Sequence, residues 1–258
     1  VVNGDVRVLV EKKGREKIAA LTAYDYPTAK LVEEAGLDFI LVGDSLGVVV
    51  LGYESPLQVT MEDMLHHTRA VARGARETII IGDMPVNTYD TPSQALANAR
   101  RFLEAGAVGV KIEGPKTDVV RALVAEDIPV MGHLGLTPQT ITDYRVQGRE
   151  REEAERILGE ALALENAGIF SLVLECVPES LGREVTEKIG VPTIGIGAGR
   201  YCDGQILVIH DLLGLFDRYV PKFARQYLSL RDDIRKALTS FKMDVKKGAF
   251  PGEENVYK

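Results

Sequence analysis

Tryptophan is absent from these 258 residues, cysteine occurs only twice and histidine four times. Two thiols, Cys176 and Cys202, are no disulfide framework, so the pattern fits a reducing compartment with both sulfurs free. Zinc spacing is missing as well: His66 and His67 are adjacent, and about 100° apart around a helix they diverge rather than chelate. Basic residues are in deficit, 31 Lys and Arg against 38 Asp and Glu, for a formal charge of −7. Phosphate neutralisation needs a clustered cationic excess, so a nucleic-acid partner is not expected. No apolar run approaches the roughly 18 residues of a membrane span, and the first residues carry no apolar leader core. The expectation is a cytoplasmic protein with no membrane partner.

What is present is ordinary globular material, 45% hydrophobic and 27% charged, ample for a large core. Short apolar, β-branched runs recur at Ile18–Ala23, Phe39–Val42, Thr78–Ile81, Val108–Ile112, Pro129–Met131, Ser171–Leu174, Pro192–Ile196 and Ile206–Ile209. Most are apolar on both faces, as strands covered inside and outside must be. Segments of helical periodicity alternate with them, at Pro27–Ala35, Met61–Gly74, Pro92–Ala105, Arg151–Ala167 and Glu179–Ile189. Gly36, Gly106 and Gly168 follow helices and precede strands, the left-handed stop signal. Thr60, with Asp63 three residues on, and Thr91 read as helix starts.

Eight strands with alternating helices predict one α/β domain over residues 1–258, a (β/α)₈ TIM barrel with an extra N-terminal segment and a C-terminal helix. A doubly wound sheet would place a glycine fingerprint in the first βα turn, which here reads Thr22-Ala23-Tyr24-Asp25-Tyr26. The late Gly195-Ile196-Gly197-Ala198-Gly199 stretch reads equally well as a ligand-facing loop or a structural turn. Val6–Lys17 is compatible with helix or strand. An amphipathic helix from Phe223 to about Phe241 either covers a neighbour or packs on its own barrel.

Barrel chemistry sits at the C-terminal ends of the strands, and here those ends are acidic: Asp44, Asp83, Glu113 and Glu175. Crowded carboxylates repel unless a cation neutralises them, and oxygen-only ligation suits Mg²⁺. Lys111 and Glu113 share one face of the fourth strand, either as a buried ion pair or with Lys111 against a substrate carboxylate. His133 is equally a donor to substrate or a packing histidine. Asp211, beside His210, reads as a helix cap, and Cys176 as a buried thiol rather than a nucleophile.

The blocks Val42-Gly43-Asp44-Ser45-Leu46-Gly47, Gly109-Val110-Lys111-Ile112-Glu113-Gly114, Gly132-His133-Leu134-Gly135-Leu136-Thr137-Pro138-Gln139, Glu175-Cys176-Val177-Pro178 and Ile194-Gly195-Ile196-Gly197-Ala198-Gly199 are recognisable in this order. The chain resembles the ketopantoate hydroxymethyltransferase family of the phosphoenolpyruvate mutase and isocitrate lyase barrel superfamily, from Lys17 to the Ala249-Phe250-Pro251 tail. That resemblance implies transfer of a hydroxymethyl group from 5,10-methylenetetrahydrofolate to 3-methyl-2-oxobutanoate, giving 2-dehydropantoate for pantothenate and coenzyme A synthesis. It implies Mg²⁺ on Asp44, Asp83 and Glu113, the α-keto acid on Asp44, Ser45, Asp83, Lys111 and His133, and Glu175 as general base. It also implies a homo-oligomer, typically a decamer. The loops at Val86-Asn87 and Pro115 depart from the family pattern beside the site. Three rivals remain: a Mg-dependent carbon–carbon lyase or mutase of the same superfamily, although no Lys-Lys-Cys-Gly-His loop is present; a Schiff-base aldolase through Lys111; and a keto-acid sensor without catalysis.

Overall fold

Burial on both faces explains how most of the apolar runs become the wall of a barrel covered inside and outside. A computed structural model describes residues 4–140, 144–218 and 220–257. Eight parallel strands, β1 (Ile18–Thr22), β2 (Phe39–Val42), β3 (Ile79–Asp83), β4 (Gly109–Glu113), β5 (Val130–Gly135), β6 (Ser171–Glu175), β7 (Thr193–Ile196) and β8 (Gly204–Leu207), close in sequence order. The seam joins β1 to β8 with Ile18 opposite Gly204 and Ala20 opposite Ile206. Alternate residues Ile18 and Ala20, Phe39 and Leu41, Ile79 and Ile81, with Met131, Val173, Ile194 and Ile206, form one buried cluster. Their i and i+2 spacing assigns this cluster to the lumen, a packed core rather than a pore.

The helix α1 (Arg7–Glu11) resolves the ambiguous N-terminal segment, and its Leu9 joins the same lumen cluster. Around the strands run α2 (Tyr26–Glu34), the short α3 (Leu46–Val49), α4 (Met61–Gly74), α5 (Pro92–Glu104), α6 (Thr117–Val124), α7 (Arg151–Ala167) and α8 (Glu179–Lys188). Thr60 caps α4 in a reciprocal box, its Oγ1 accepting from the Asp63 N–H at 3.2 Å while Asp63 accepts from the Thr60 N–H at 2.9 Å. Thr91 caps α5 by accepting from the Gln94 N–H. Gly36, Gly106 and Gly168 all take positive φ, 74°, 105° and 103°, the conformation expected of them. Gly82 is required sterically: a Cβ there would lie 2.3 Å from the Phe102 ring of α5.

Several boundaries move. β5 continues past Met131 to Gly135, so His133 lies within the strand. β8 begins at Gly204, two residues before the apolar run that marked it, and Ile209 opens the short helix α9 (Ile209–Leu212), which contains Asp211 rather than being capped by it. The chain divides into two compact units, the barrel unit ending at Val208 and a second beginning at Ile209. Within the second, α10 spans Leu230–Lys247 instead of Phe223–Phe241; none of its residues is buried, and Phe241 meets Phe250 edge to face at 5.5 Å. No helix among the described residues is long and apolar enough to cross a membrane.

Candidate active site

On several strands the lumen face changes character near its C-terminal end. Ile79 and Ile81 are followed by Asp83, Met131 by His133, and Val173 by Glu175, while Lys111 and Glu113 occupy that face on β4. Strand register then makes neighbours of these side chains, because Asp83 pairs with Lys111 and Glu113 with His133 across the ladder. Lys111 Nζ lies 2.8 Å from Asp83 Oδ1 and 3.9 Å from Glu113 Oε1. His133 sits between two carboxylates, Nδ1 3.2 Å from Glu113 Oε1 and Nε2 3.2 Å from Glu175 Oε2. Asp44, just beyond β2, gives its backbone N–H to Asp83 Oδ2 at 3.2 Å.

Nearly all of this is sealed from water. Asp44, Asp83, Lys111, Glu113 and His133 are each buried, whereas the Glu175 side chain keeps 19% exposure. Burial pushes the Asp44 carboxyl well above the usual carboxylate range, and the charges of Asp83 and Glu113 push it further. Burial also raises Asp83, against the pull of Lys111 and with the added push of Glu113. Glu113 escapes this: burial would raise it, but His133, Lys111 and the Gln139 N–H together hold it low. Burial and Lys111 oppose a charged His133, yet Glu113 and Glu175 prevail and lift it to about 9. Burial likewise opposes the Lys111 ammonium, and Asp83, Glu113 and Asp44 outweigh it, keeping the charge. Asp44 and Asp83 are left as the electrostatically unsatisfied pair.

Ser45 stands at the edge of this cluster, next to Asp44, its Oγ 2.9 Å from the Tyr24 hydroxyl. Cys176 is half-buried rather than buried, with φ 48°, and burial with the Glu175 charge pushes its thiol up to about 12. It is a poor nucleophile. Among the described residues, no three Asp, Glu, His or Cys side chains form a ready-made metal cage.

A family model described as ketopantoate hydroxymethyltransferase matches residues 5–253. The chain belongs to that family. It is 51% identical to a 3-methyl-2-oxobutanoate hydroxymethyltransferase of Syntrophomonas wolfei subsp. wolfei, across 98% of this chain and 94% of the relative. Identity to the enzyme of the same name from Thermotoga neapolitana is 52%, across 98% and 96%. The sequence resemblance is thereby borne out, and with it membership of a family of hydroxymethyl-transferring enzymes.

Solved structures extend the fold relationship beyond the ketopantoate hydroxymethyltransferases. A 2,3-dimethylmalate lyase, a PEP mutase/isocitrate lyase superfamily member, superposes with TM-score 0.62 at 16% identity, covering 98% of this chain and 91% of that one. A phosphonopyruvate hydrolase in complex with oxalate and Mg++ gives TM-score 0.65 at 14% identity, covering 97% and 92%. At such identities the likeness is one of fold.

Two buried residues of this ketopantoate hydroxymethyltransferase family member were not assigned roles from the sequence. Gln139, after β5, gives its amide N–H to Asp44 Oδ2 at 2.9 Å and its backbone N–H to Glu113 Oε2 at 3.1 Å. Tyr89, after β3, accepts from the Glu113 N–H at 3.3 Å and donates to Gln139 Oε1 at 2.5 Å. Gln139 ends the block that begins at Gly132, and Tyr89 lies just after the Val86-Asn87 departure. Their position on the strand-end loops was the available signal.

Proposed function

We propose that this chain transfers the one-carbon unit of 5,10-methylenetetrahydrofolate to 3-methyl-2-oxobutanoate, yielding 2-dehydropantoate for pantothenate synthesis, with Mg²⁺ as its resident cation. The observation that carries this reading is the buried cluster of Asp44, Asp83, Lys111 and Glu113, tied to the more exposed Glu175 through His133.

The donor set fits a hard divalent ion. Asp44 and Asp83 are oxygen donors whose charge is disfavoured by burial and by each other, a conflict that a cation relieves. Substrate oxygens and water would complete the shell, the usual habit of Mg²⁺. Asp44, Asp83 and Glu113 are the residues that would hold it. When bound, the ion supplies Lewis-acid polarisation of the keto oxygen.

The chain's own groups do the rest. Lys111, kept charged by its acidic neighbours, is the point charge for the substrate carboxylate, and Ser45, oriented by Tyr24, offers a hydroxyl beside Asp44. Glu175 reaches the mouth and takes the C3 proton as general base. His133, whose Nε2 lies 3.2 Å from Glu175 Oε2, steadies Glu175 from below and lies beside the bound acid. The apolar lumen beneath keeps water from the deprotonated C3 until it attacks the methylene carbon. The bond from that carbon to the folate nitrogen then breaks, a water molecule supplies the hydroxyl oxygen, and tetrahydrofolate leaves with the proton. Assembly as a homo-oligomer fits the apolar side chains Leu238, Phe241 and Met243 that α10 exposes.

The test is a product assay with 3-methyl-2-oxobutanoate, methylenetetrahydrofolate and Mg²⁺, each omitted in turn. All three are expected to be required. Full activity in excess chelator removes the cation from the mechanism, and cleavage of an oxo-acid without folate turns the reading to a lyase.

A further inference from the structure

Every polar atom of the Gln139 side chain is committed, and the commitments run in one direction. Tyr89 has a single hydroxyl proton, and its oxygen already accepts from the Glu113 backbone N–H. That proton goes to Gln139 Oε1 at 2.5 Å, which fixes which end of the amide is oxygen. The two amide hydrogens on Nε2 are then spent on Asp44 Oδ2 at 2.9 Å and the Met84 carbonyl at 3.0 Å. The same residue's backbone N–H holds Glu113 Oε2 at 3.1 Å. One residue from the loop after β5 therefore grips carboxylates that come from β2 and β4, and Tyr89 from the loop after β3 sets its orientation. All four partners are buried, where a flipped amide would set oxygen against carboxylate.

We propose that Gln139, oriented by Tyr89, is a positioning residue that fixes the separation of the Asp44 and Glu113 carboxylates and thereby presets the cation seat. The proposal rests on the cation reading above. Gln139 touches neither reacting atom; it acts through the two carboxylates, as outer partners of metal ligands do.

The experiment titrates the full chain with Mn²⁺ and reads free Mn²⁺ by electron paramagnetic resonance, alongside thermal unfolding without divalent ions. Gln139→Leu is expected to bind Mn²⁺ about 10–100-fold more weakly than wild type, and Tyr89→Phe, which deletes one oxygen, about 10-fold more weakly. The double variant is expected to be no weaker than Gln139→Leu, because both changes cut the same chain of bonds. Unchanged Mn²⁺ affinity in a folded Gln139→Leu or Tyr89→Phe protein overturns the proposal, even if its unfolding midpoint falls. Strictly additive losses also overturn it. Should Gln139→Leu not fold, Tyr89→Phe decides alone. A wild-type chain that binds no Mn²⁺ fails the cation reading itself and takes the clamp with it, a result distinct from variants that bind as wild type does.

Discussion

Acidic side chains stand at both ends of this barrel, and the two ends use them in opposite ways. At the N-terminal end Asp203, just before β8, receives Lys13 Nζ at 2.9 Å, the Thr193 N–H at 2.9 Å and the Gly14 N–H at 3.2 Å. Asp38, just before β2, receives Lys12 Nζ at 2.6 Å and the Ala19 N–H at 2.7 Å. Each of these carboxylates has an ammonium and a backbone donor, and together they tie the segment just after α1 to the bottom of the barrel. At the C-terminal end Asp44, Asp83 and Glu113 crowd around the one ammonium of Lys111, and two of the three are pushed toward protonation. A carboxylate surrounded by donors is mortar. Carboxylates in excess of donors, buried, hold a conflict that a ligand resolves, and such violations of local consistency mark functional sites.

Substitutions at the two ends should therefore diverge. The largest effect is expected at Glu175→Gln, which should slow C3–H exchange of 3-methyl-2-oxobutanoate in deuterated water by about 10²–10⁴-fold while leaving keto-acid binding in place; retained exchange refutes the base. Next, Mg²⁺ at 100 times its dissociation constant should raise wild-type unfolding stability by about 2.7 kcal/mol, seen by calorimetry, and the rise should vanish in Asp44→Asn. At the bottom, Asp203→Asn should cost about 1.5–3 kcal/mol through lost charge-assisted bonds, in denaturant titration. In metal-free protein Asp44→Asn should do the reverse and gain about 1 kcal/mol, since it removes a repelled buried charge; equal losses at Asp203 and Asp44 would erase the contrast. Of similar size, at a site belonging to neither end, Thr60→Ala should cost about 1 kcal/mol at neutral pH. The Thr60 hydroxyl and N–H hold Asp63 below its ordinary 3.8. A lowered folded-state value stabilises above the unfolded one and is lost as pH falls through it, so the Thr60→Ala deficit should shrink in acid.

Much of the barrel was legible because local chemistry and fold agree. Met61–Gly74 and Arg151–Ala167 form helices with the bounds their periodicity gives, and Thr60 and Thr91 cap as their side chains dictate. Legibility fails where that local signal is weak. α6 has no side-chain cap at Lys116 and only eight residues, so nothing marks its start. β8 begins on Gly204 and Gln205, which carry no strand preference; the β1 edge recruits them through Ile18 and Ala19. In the site, the acidic rim could be read from strand ends alone, whereas Gln139 and Asp44 stand 95 positions apart and meet only through closure.

The chain order of apolar runs, helix caps and strand-end acids determined by itself that this is an eightfold α/β barrel with a charged mouth, because periodicity and capping act over a few residues. Tertiary structure alone decided which charges touch: the register that sets Asp83 against Lys111 and Glu113 against His133, the burial that turns Asp44 and Asp83 against their own ionisation, and the Tyr89–Gln139 bridge. Electrostatic energy depends on distance through space and on the surrounding dielectric, and neither is written in the spacing of residues along a chain.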